Sequence, residues 1–139
     1  MTVRITPHLA FNGTCRDAFA FYAEVLGGEI TLMMTYGESP MKDQFPPEWA
    51  DAVMHATLTL DRGEISGADA PPEIYAKPAG TTVTLTFESR DEAERVFTAL
   101  AKGGSIYLDF AETFWSKSFG ICTDRYDQHW MINTAGEMR

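Results

Sequence analysis

The chain has 139 residues, 45% of them hydrophobic and 22% charged, which are the proportions of a soluble globular protein. Its formal net charge of −9 argues against a sequence-independent nucleic-acid binder, because such a protein needs a basic surface to neutralise phosphates. No apolar run approaches the roughly 20 residues of a membrane helix, no secretory signal is present, and two cysteines are too few for a disulfide scaffold. We therefore expect a reduced cytoplasmic protein with neither a membrane nor a nucleic-acid partner.

The first half of the chain is predicted to run strand, helix and then three strands. Residues 5–11 alternate in the manner of a strand, and residues 15–26 place their apolar side chains on one helical face that ends at Gly27. Residues 40–47, with a proline at each end, indicate an insertion loop that either covers the core or acts as a lid over a ligand. The further strands are predicted at 29–36, 53–60 and 64–67.

The second half repeats that order after a proline-rich linker at about residues 69–80. Residues 81–87 alternate between apolar side chains and threonines, which predicts a strand. Ser89 and Glu92 have the spacing of a capping box, which predicts the start of a helix over residues 90–102. The remaining strands are predicted at 105–110, 118–123 and 129–134.

The two halves match at one constant interval. Gly103 follows Gly27 by 76 residues, and Phe97 follows Phe21 by the same number. Several apolar positions repeat at this interval too, so we interpret the chain as two copies of one unit, at about 1–70 and 80–139, that fold together as a single domain. The predicted fold class is α+β, with two tandem βαβββ units forming a curved mixed sheet around a cleft.

The period-two alternation assigns the residues of each predicted strand to opposite faces of the sheet. The apolar set predicted to lie under the helices is Leu9, Phe11, Ile30, Leu32, Val83, Leu85, Phe87, Ile106, Leu108, Trp130 and Ile132. The opposite face mixes polar, thioether and aromatic groups, which is typical of a small-molecule site. From that face and the following loop, the candidate ligand residues are Met33, Thr35, Thr57, Thr84, Tyr107, Asp109, Trp115 and Met131.

Several stretches resemble the PhnB-like branch of the vicinal oxygen chelate superfamily, which includes glyoxalase I, extradiol dioxygenases and the bleomycin and fosfomycin resistance proteins. They are FNGTCRDAF at 11–19, MTYGESP at 34–40, MHA at 54–56, FW at 114–115 and the segment 124–130. The resemblance implies a small-molecule ligand and a homodimer. That branch has often carried a ubiquinone methyltransferase label, but no glycine-rich strand–turn–helix is present to hold S-adenosylmethionine, so we do not expect that activity.

The resemblance also implies where a metal would bind. Metal-using members take four ligands from equivalent places in the two units, one on the first strand of each unit and one on a later strand. This places His8 and Thr84 at the first position, and the same interval places His55 and Met131 at the second. Two imidazoles are an incomplete set for a divalent metal such as Zn, Ni, Fe or Mn, because a catalytic site usually has at least three protein ligands.

Three other residues are candidates to complete that set: Asp109, Glu112 and His129. The alternative is that no metal binds. On that reading His55 is a polar residue of the wall that hydrogen-bonds to a neighbour, and His8 is an edge-strand residue near solvent.

Three functions follow as alternatives. One is a metal-dependent lyase, isomerase or transferase of glyoxalase type. Another is a metal-free protein that sequesters a ligand, in the manner of the resistance proteins, and a third is a regulatory dimeric module. Cys15 and Cys122 are interpreted as packed thiols, and Trp115 either stacks on a ligand or belongs to the core.

Overall fold

The computed structural model of this protein describes residues 2–116 and 118–136 and divides the chain into two units, Met1–Ala76 and Lys77–Arg139. The boundary between the units falls inside the proline-rich segment. Neither helix of the described ranges has the length and apolar character that a membrane crossing requires.

The first unit has one helix and four strands in the order β1-β4-β3-β2. β1 and β4 are parallel, while β4–β3 and β3–β2 are antiparallel. The elements are β1 (His8–Phe11), α1 (Cys15–Leu26), β2 (Glu29–Thr35), β3 (Val53–Leu60) and β4 (Gly63–Asp69), with short 3₁₀ turns at Lys42–Gln44 and Pro47–Trp49.

The second unit repeats this arrangement, with strand order β5-β8-β7-β6 and the same parallel and antiparallel pairs. Its elements are β5 (Val83–Phe87), α2 (Arg90–Ala101), β6 (Ser105–Ala111), β7 (Phe119–Thr123) and β8 (His129–Thr134). The predicted α+β class with two βαβββ units is therefore confirmed.

The ends of the helices follow from local chemistry. Gly27 ends α1 in the left-handed region, at φ 75°, and its N–H donates to the carbonyl of Ala23. Because a side chain is strained at that φ, glycine is the favoured residue there. At the start of α2 the hydroxyl of Ser89 accepts the N–H of Glu92, as the capping-box spacing predicts.

Each helix buries its apolar face against its own sheet. In the first unit Phe19 and Tyr22 pack with Phe11, and Gly67 allows the close approach because a Cβ there would lie 2.7 Å from the Phe19 ring. In the second unit Gly120 has the same role, since its Cβ would lie 2.6 Å from the Phe97 ring. The predicted core residues Leu9, Phe11, Trp130 and Ile132 are buried.

Both edge strands contain one extra residue that the alternation does not anticipate. In β2, Ile30 lies opposite Leu58 but Leu32 lies opposite Thr57, which leaves Thr31 as the extra residue of a bulge. The prediction that Leu32 lies under the helix is wrong, because the bulge moves it to the opposite face, where it is 40% exposed.

The bulge in β6 has the same form. Ile106 lies opposite Cys122 and Leu108 lies opposite Ile121, so Tyr107 is the extra residue. The prediction that Leu108 lies under the helix is wrong for the same reason, and Ile106 is also exposed at this outer strand. Tyr107 follows Thr31 by 76 residues, so the two bulges share the interval that relates the halves of the sequence.

The predicted strand at residues 5–11 starts later than expected, since β1 begins only at His8. Pro7 has no N–H to donate to a strand partner, although its carbonyl still accepts the N–H of Ser66.

Candidate functional site

In each unit the helix covers one face of the sheet, and we call the other face the open face. On the open face of the first unit, one row of neighbouring strand positions runs from β1 to β2 and contains a histidine, two hydroxyl groups and a leucine. In strand order the row is His8, Ser66, Thr57 and Leu32.

The histidines of this open face form a pair. The ring centroids of His8 and His55 are 6.1 Å apart with an interplanar angle of 28°, and His8 Nδ1 is 3.0 Å from the Ser66 hydroxyl. Partial burial lowers the pKa of His8, and the proximity of His55 lowers it further. The neutral imidazole of His8 therefore predominates at neutral pH.

The open face of the second unit is more apolar. Its first row pairs Thr84 with Met131 and continues through Ile121 to Leu108. Its second row pairs Thr86 with Asn133 and continues through Phe119 to Ala111.

The loop that joins β6 to β7 carries two aromatic side chains. Phe114 and Trp115 meet edge to face with centroids 4.7 Å apart, and Trp115 meets Phe119 in the same manner at 5.4 Å. We call Phe114, Trp115 and Phe119 the aromatic cluster. Phe114 is 73% exposed and Trp115 is 36% exposed, so the cluster presents ring surface to solvent.

The structure distributes the predicted ligand residues over separate places. Thr57 lies on the open face of the first unit, and Thr84 and Met131 are direct neighbours on that of the second. Trp115 lies in the β6–β7 loop, Tyr107 is the bulge residue of β6, and the exposed Asp109 lies in a second irregularity of that strand, between Leu108 and Ala111.

Two predicted placements in β2 need correction. Met33 lies opposite Ala56, on the helix side, because the bulge at Thr31 shifts the alternation by one residue. Met34, opposite His55, takes the place that alternation assigned to Met33. Thr35 ends the strand, and its hydroxyl and N–H both donate to the Glu38 carboxylate at 2.8 and 3.0 Å.

The predicted correspondence between His55 and Met131 is also wrong. Met131 lies on β8 opposite Thr84, just as Ser66 lies on β4 opposite His8, so the counterpart of Met131 is Ser66. The interval of 76 residues fails in the later strands because the loop between β2 and β3 is longer than the loop between β6 and β7.

The four corresponding positions on the paired first and last strands of the units are therefore His8, Ser66, Thr84 and Met131. One imidazole, two hydroxyls and one thioether do not match the imidazole and carboxylate ligands that a catalytic divalent metal requires. Among residues 2–116 and 118–136 no group of three or more His, Cys, Asp or Glu side chains is placed to hold an ion. The residues present do not fit the metal that the fold family implies.

His129, a candidate third ligand, has both ring nitrogens in hydrogen bonds. Its Nδ1 is 2.9 Å from the Thr123 hydroxyl, and its Nε2 is 2.9 Å from the carbonyl oxygen of Pro78. These contacts tie the β7–β8 hairpin to the segment that precedes β5, which is a structural role.

The cysteines do not have the properties of nucleophiles. Cys15 and Cys122 are both buried, and burial raises the pKa of each thiol to about 12, with a further contribution from the nearby carboxylates of Asp69 and Asp124 respectively. Because the thiolate is the reactive form, both side chains are packing residues.

Two buried carboxylates that the sequence reasoning missed organise the loops of the two units. Asp69 accepts the N–H groups of Gly13 and Cys15 on one oxygen and that of Val53 on the other, at 2.9–3.0 Å. The equivalent duty in the second unit falls to Asp124. It accepts the backbone N–H groups of residues 126 and 128 and the indole N–H of residue 130.

The predicted insertion loop is held to the first unit by Tyr36. Its hydroxyl donates to the carbonyl of Asp69 at 2.8 Å, and its ring meets Phe45 and Trp49 edge to face at 4.6 and 5.4 Å. This anchoring favours a loop that covers the core over a mobile lid.

Comparison with known proteins gives consistent relatives over nearly the whole chain. Residues 3–133 match the family described as 3-demethylubiquinone-9 3-methyltransferase. The chain is 35% identical to protein YjdN of Escherichia coli strain K12, over 94% of this chain and 95% of that protein.

Solved structures agree. Protein PA1353 of Pseudomonas aeruginosa is 40% identical with a TM-score of 0.88, covering 96% of this chain and 98% of that one. The PhnB protein of Bacillus cereus is 28% identical with a TM-score of 0.80, covering 96% and 100%. A glyoxalase/bleomycin resistance/dioxygenase family protein of Burkholderia phytofirmans shares the fold, with a TM-score of 0.62 at 12% identity over 91% of this chain and 94% of that one.

Proposed function

Because the chain belongs to the 3-demethylubiquinone-9 3-methyltransferase family, a PhnB-like branch of the vicinal oxygen chelate superfamily, we propose that it binds a small organic molecule on its open sheet faces without a catalytic metal. The superfamily fold, with two βαβββ units, is the starting point of this proposal. The identity of the groups on the open faces decides which of the superfamily's modes of action fits.

The family description names a methyltransferase, but the residues do not fit S-adenosylmethionine. Such a cofactor is commonly held by a glycine-rich turn between a first strand and a helix, where free backbone N–H groups face the ligand. Here the turn between β1 and α1 contains Gly13, and the N–H groups of Gly13 and Cys15 already donate to the Asp69 carboxylate. No methyl transfer is therefore proposed.

The observation that carries the proposal is the donor set His8, Ser66, Thr84 and Met131. Hydroxyl groups and a neutral imidazole donate and accept hydrogen bonds, and a thioether gives an adaptable apolar contact. These are the properties of a surface that recognises an organic molecule, where a few polar groups fix the orientation of an otherwise apolar ligand. The net charge of −9 favours a neutral or cationic ligand over an anionic one.

A ligand screen with and without metal tests this proposal. Thermal unfolding of the full chain is followed against a library of neutral, cationic and anionic compounds, once with excess EDTA and once with Zn²⁺, Ni²⁺, Fe²⁺ or Mn²⁺. We expect a subset of neutral or cationic compounds to raise Tm equally in both conditions, because binding to the folded state stabilises it.

Variants identify the surface that is responsible. Thr84→Ala with Met131→Ala should abolish the rise in Tm, while Thr98→Ala on the exposed side of α2 should leave it unchanged. Binding that disappears in EDTA and returns with one of the ions would overturn the metal-free proposal, and so would a screen without any stabilising compound.

We also propose that the chain forms a homodimer, as members of the superfamily often do. The support in this chain is the outer strand β6, where Ile106, Tyr107 and Leu108 are exposed, with Tyr107 at 85%. Light scattering of the wild-type chain and of a Tyr107→Lys variant tests it. We expect a dimer for the first and a shift toward monomer for the second, and a wild-type monomer at micromolar concentration would contradict the proposal.

A further inference from the structure

We propose that the aromatic cluster of Phe114, Trp115 and Phe119 is a stacking site for a planar, protonated nitrogen heterocycle. This inference rests on the proposed function and names the chemical class of its ligand. It depends on three features of the second unit: ring surface exposed on a fixed loop, a polar group beside the rings, and acidic residues around them.

The first feature is the combination of exposure and order. Phe114 and Trp115 present large apolar surfaces to water, which has a free-energy cost that burial in the core would remove. Their edge-to-face contacts fix the rings relative to each other and to Phe119, so the exposed faces are already arranged before a ligand arrives. Such preorganisation reduces the entropic cost of binding.

The loop itself is anchored from below by a buried serine. The hydroxyl of Ser116 lies 2.8 Å from the carbonyl of Ser118 and 2.6 Å from Asn133 Oδ1, and its N–H donates to Thr113 Oγ1 at 3.1 Å. The N–H of Thr134, on β8, donates to the Ser118 carbonyl at 2.9 Å. These bonds hold the loop against β8 and leave the aromatic rings on the solvent side.

The second feature is Asn133, which lies directly opposite Phe119 in the β7–β8 register. One end of its amide meets Ser116, and the side chain remains partly exposed on the open face. An amide has both donor and acceptor atoms, so Asn133 is suited to a ring nitrogen or its N–H at the edge of a stacked heterocycle. Thr86, the next residue of that row, adds a hydroxyl group.

The third feature is charge. Asp109 and Glu112 are exposed in the segment leading into the loop, and the whole chain carries a net charge of −9. Lys117 lies outside the described residues, and Arg90 is already engaged with the Ser118 hydroxyl at 2.7 Å and with Glu94. The faces of tryptophan and phenylalanine rings attract cations, so charge and ring chemistry both favour a protonated ligand.

Fluorescence titration of the full chain with 9-aminoacridine, a planar cation at neutral pH, tests the inference. Cyclohexylamine is the matched cation without a planar ring, and naphthalene-2-sulfonate is the matched planar anion. We expect saturable binding of 9-aminoacridine and at least about tenfold weaker binding of both comparison compounds, the factor that roughly 1.4 kcal/mol of ring and charge interaction supplies.

Variants locate the site. Trp115→Ala and Phe114→Ala should each weaken 9-aminoacridine binding by about tenfold, while Trp115→Phe should keep it within about threefold because a ring remains. Tyr107→Ala, which removes an even more exposed aromatic ring from β6, is the matched control and should leave binding unchanged. Circular dichroism and Tm confirm that each variant is folded, and Phe114→Ala keeps the test valid if Trp115→Ala does not fold.

Equal loss in Tyr107→Ala, or no loss in Trp115→Ala and Phe114→Ala, overturns the stacking site while the proposed function stands. The same holds if the compound screen finds ligands but none of them is planar and cationic. A screen in which no compound binds overturns the proposed function itself.

Discussion

The two units have the same topology, the same bulge in the outer strand and the same helix–sheet contact, but their open faces differ. In the first unit the face contains two imidazoles and a serine, and the loop between β2 and β3 is held down by Tyr36. In the second unit the face contains Met131, Ile121 and Phe119, and the shorter loop presents aromatic rings to solvent.

This difference shows which positions the fold itself requires. The glycines at the close contacts and the bulges sit where packing and backbone geometry leave little choice, so they persist in both units. The open faces are free of that requirement, because nothing in the sheet depends on the side chains they carry. Their divergence into a polar face and an apolar face is what we expect if each contacts a different part of one asymmetric ligand.

The largest effect is expected from the buried carboxylates. Asp69→Ala leaves three buried N–H groups without their acceptor, and Asp124→Ala does the same in the second unit. We expect each to lower the free energy of unfolding by about 3 kcal/mol or more. Urea unfolding measures this, with the exposed Asp61→Ala as control.

If the two units are equivalent scaffolds, the two losses should agree to within about 1 kcal/mol. A loss below about 1 kcal/mol in either variant would contradict the role assigned to that carboxylate.

A smaller effect is expected at the close contacts between helix and sheet. Gly67→Ala and Gly120→Ala each place a Cβ under 3 Å from a phenylalanine ring that must then move, with an expected loss of about 1–3 kcal/mol. Gly63→Ala, where a Cβ meets nothing within 4 Å, is the matched control. If either variant is as stable as the control, the helix of that unit is not seated as closely as the structure indicates.

The smallest effect is a pH dependence confined to the first unit. The pKa of His8 is lowered in the folded chain, so below about pH 6.5 the unfolded state binds more protons at this residue than the folded state does. The contribution of His8 to stability is therefore fully present above that pH and decreases as the pH falls toward the folded-state pKa.

Unfolding of the wild type and of His8→Gln between about pH 5 and about pH 8 measures this contribution. The variant should lose less stability on acidification than the wild type, and His129→Gln provides the comparison in the second unit. Parallel pH profiles for the wild type and His8→Gln would show that His8 is as solvated as in an unfolded chain.

Local signals in the sequence predicted most of the fold. The 15–26 helix was predicted with the bounds the structure gives, because its apolar face and Gly27 act within one helix, and the Ser89 cap did the same for α2. Long-range features were not predictable in this way. A bulge is invisible to a period-two pattern, so Leu32 and Met33 were assigned to the wrong faces.

The candidate site was harder to predict, because its correspondences depend on loop length. A constant interval carried from β1 into the later strands paired Met131 with His55, while the register pairs it with Thr84 and makes Ser66 its counterpart. Ser66 and Asp69 have no local sequence signal, since their partners lie more than 50 residues away in the chain.

The bulges at Thr31 and Tyr107 also limit how this protein can assemble. Each interrupts the regular row of N–H and C=O groups along an outermost strand, which is the row that a strand of another molecule would need for continuous pairing. A contact made there relies on side chains and closes after two copies. The same irregularity that confuses the alternation of the sequence thus protects the molecule against open-ended growth into fibres.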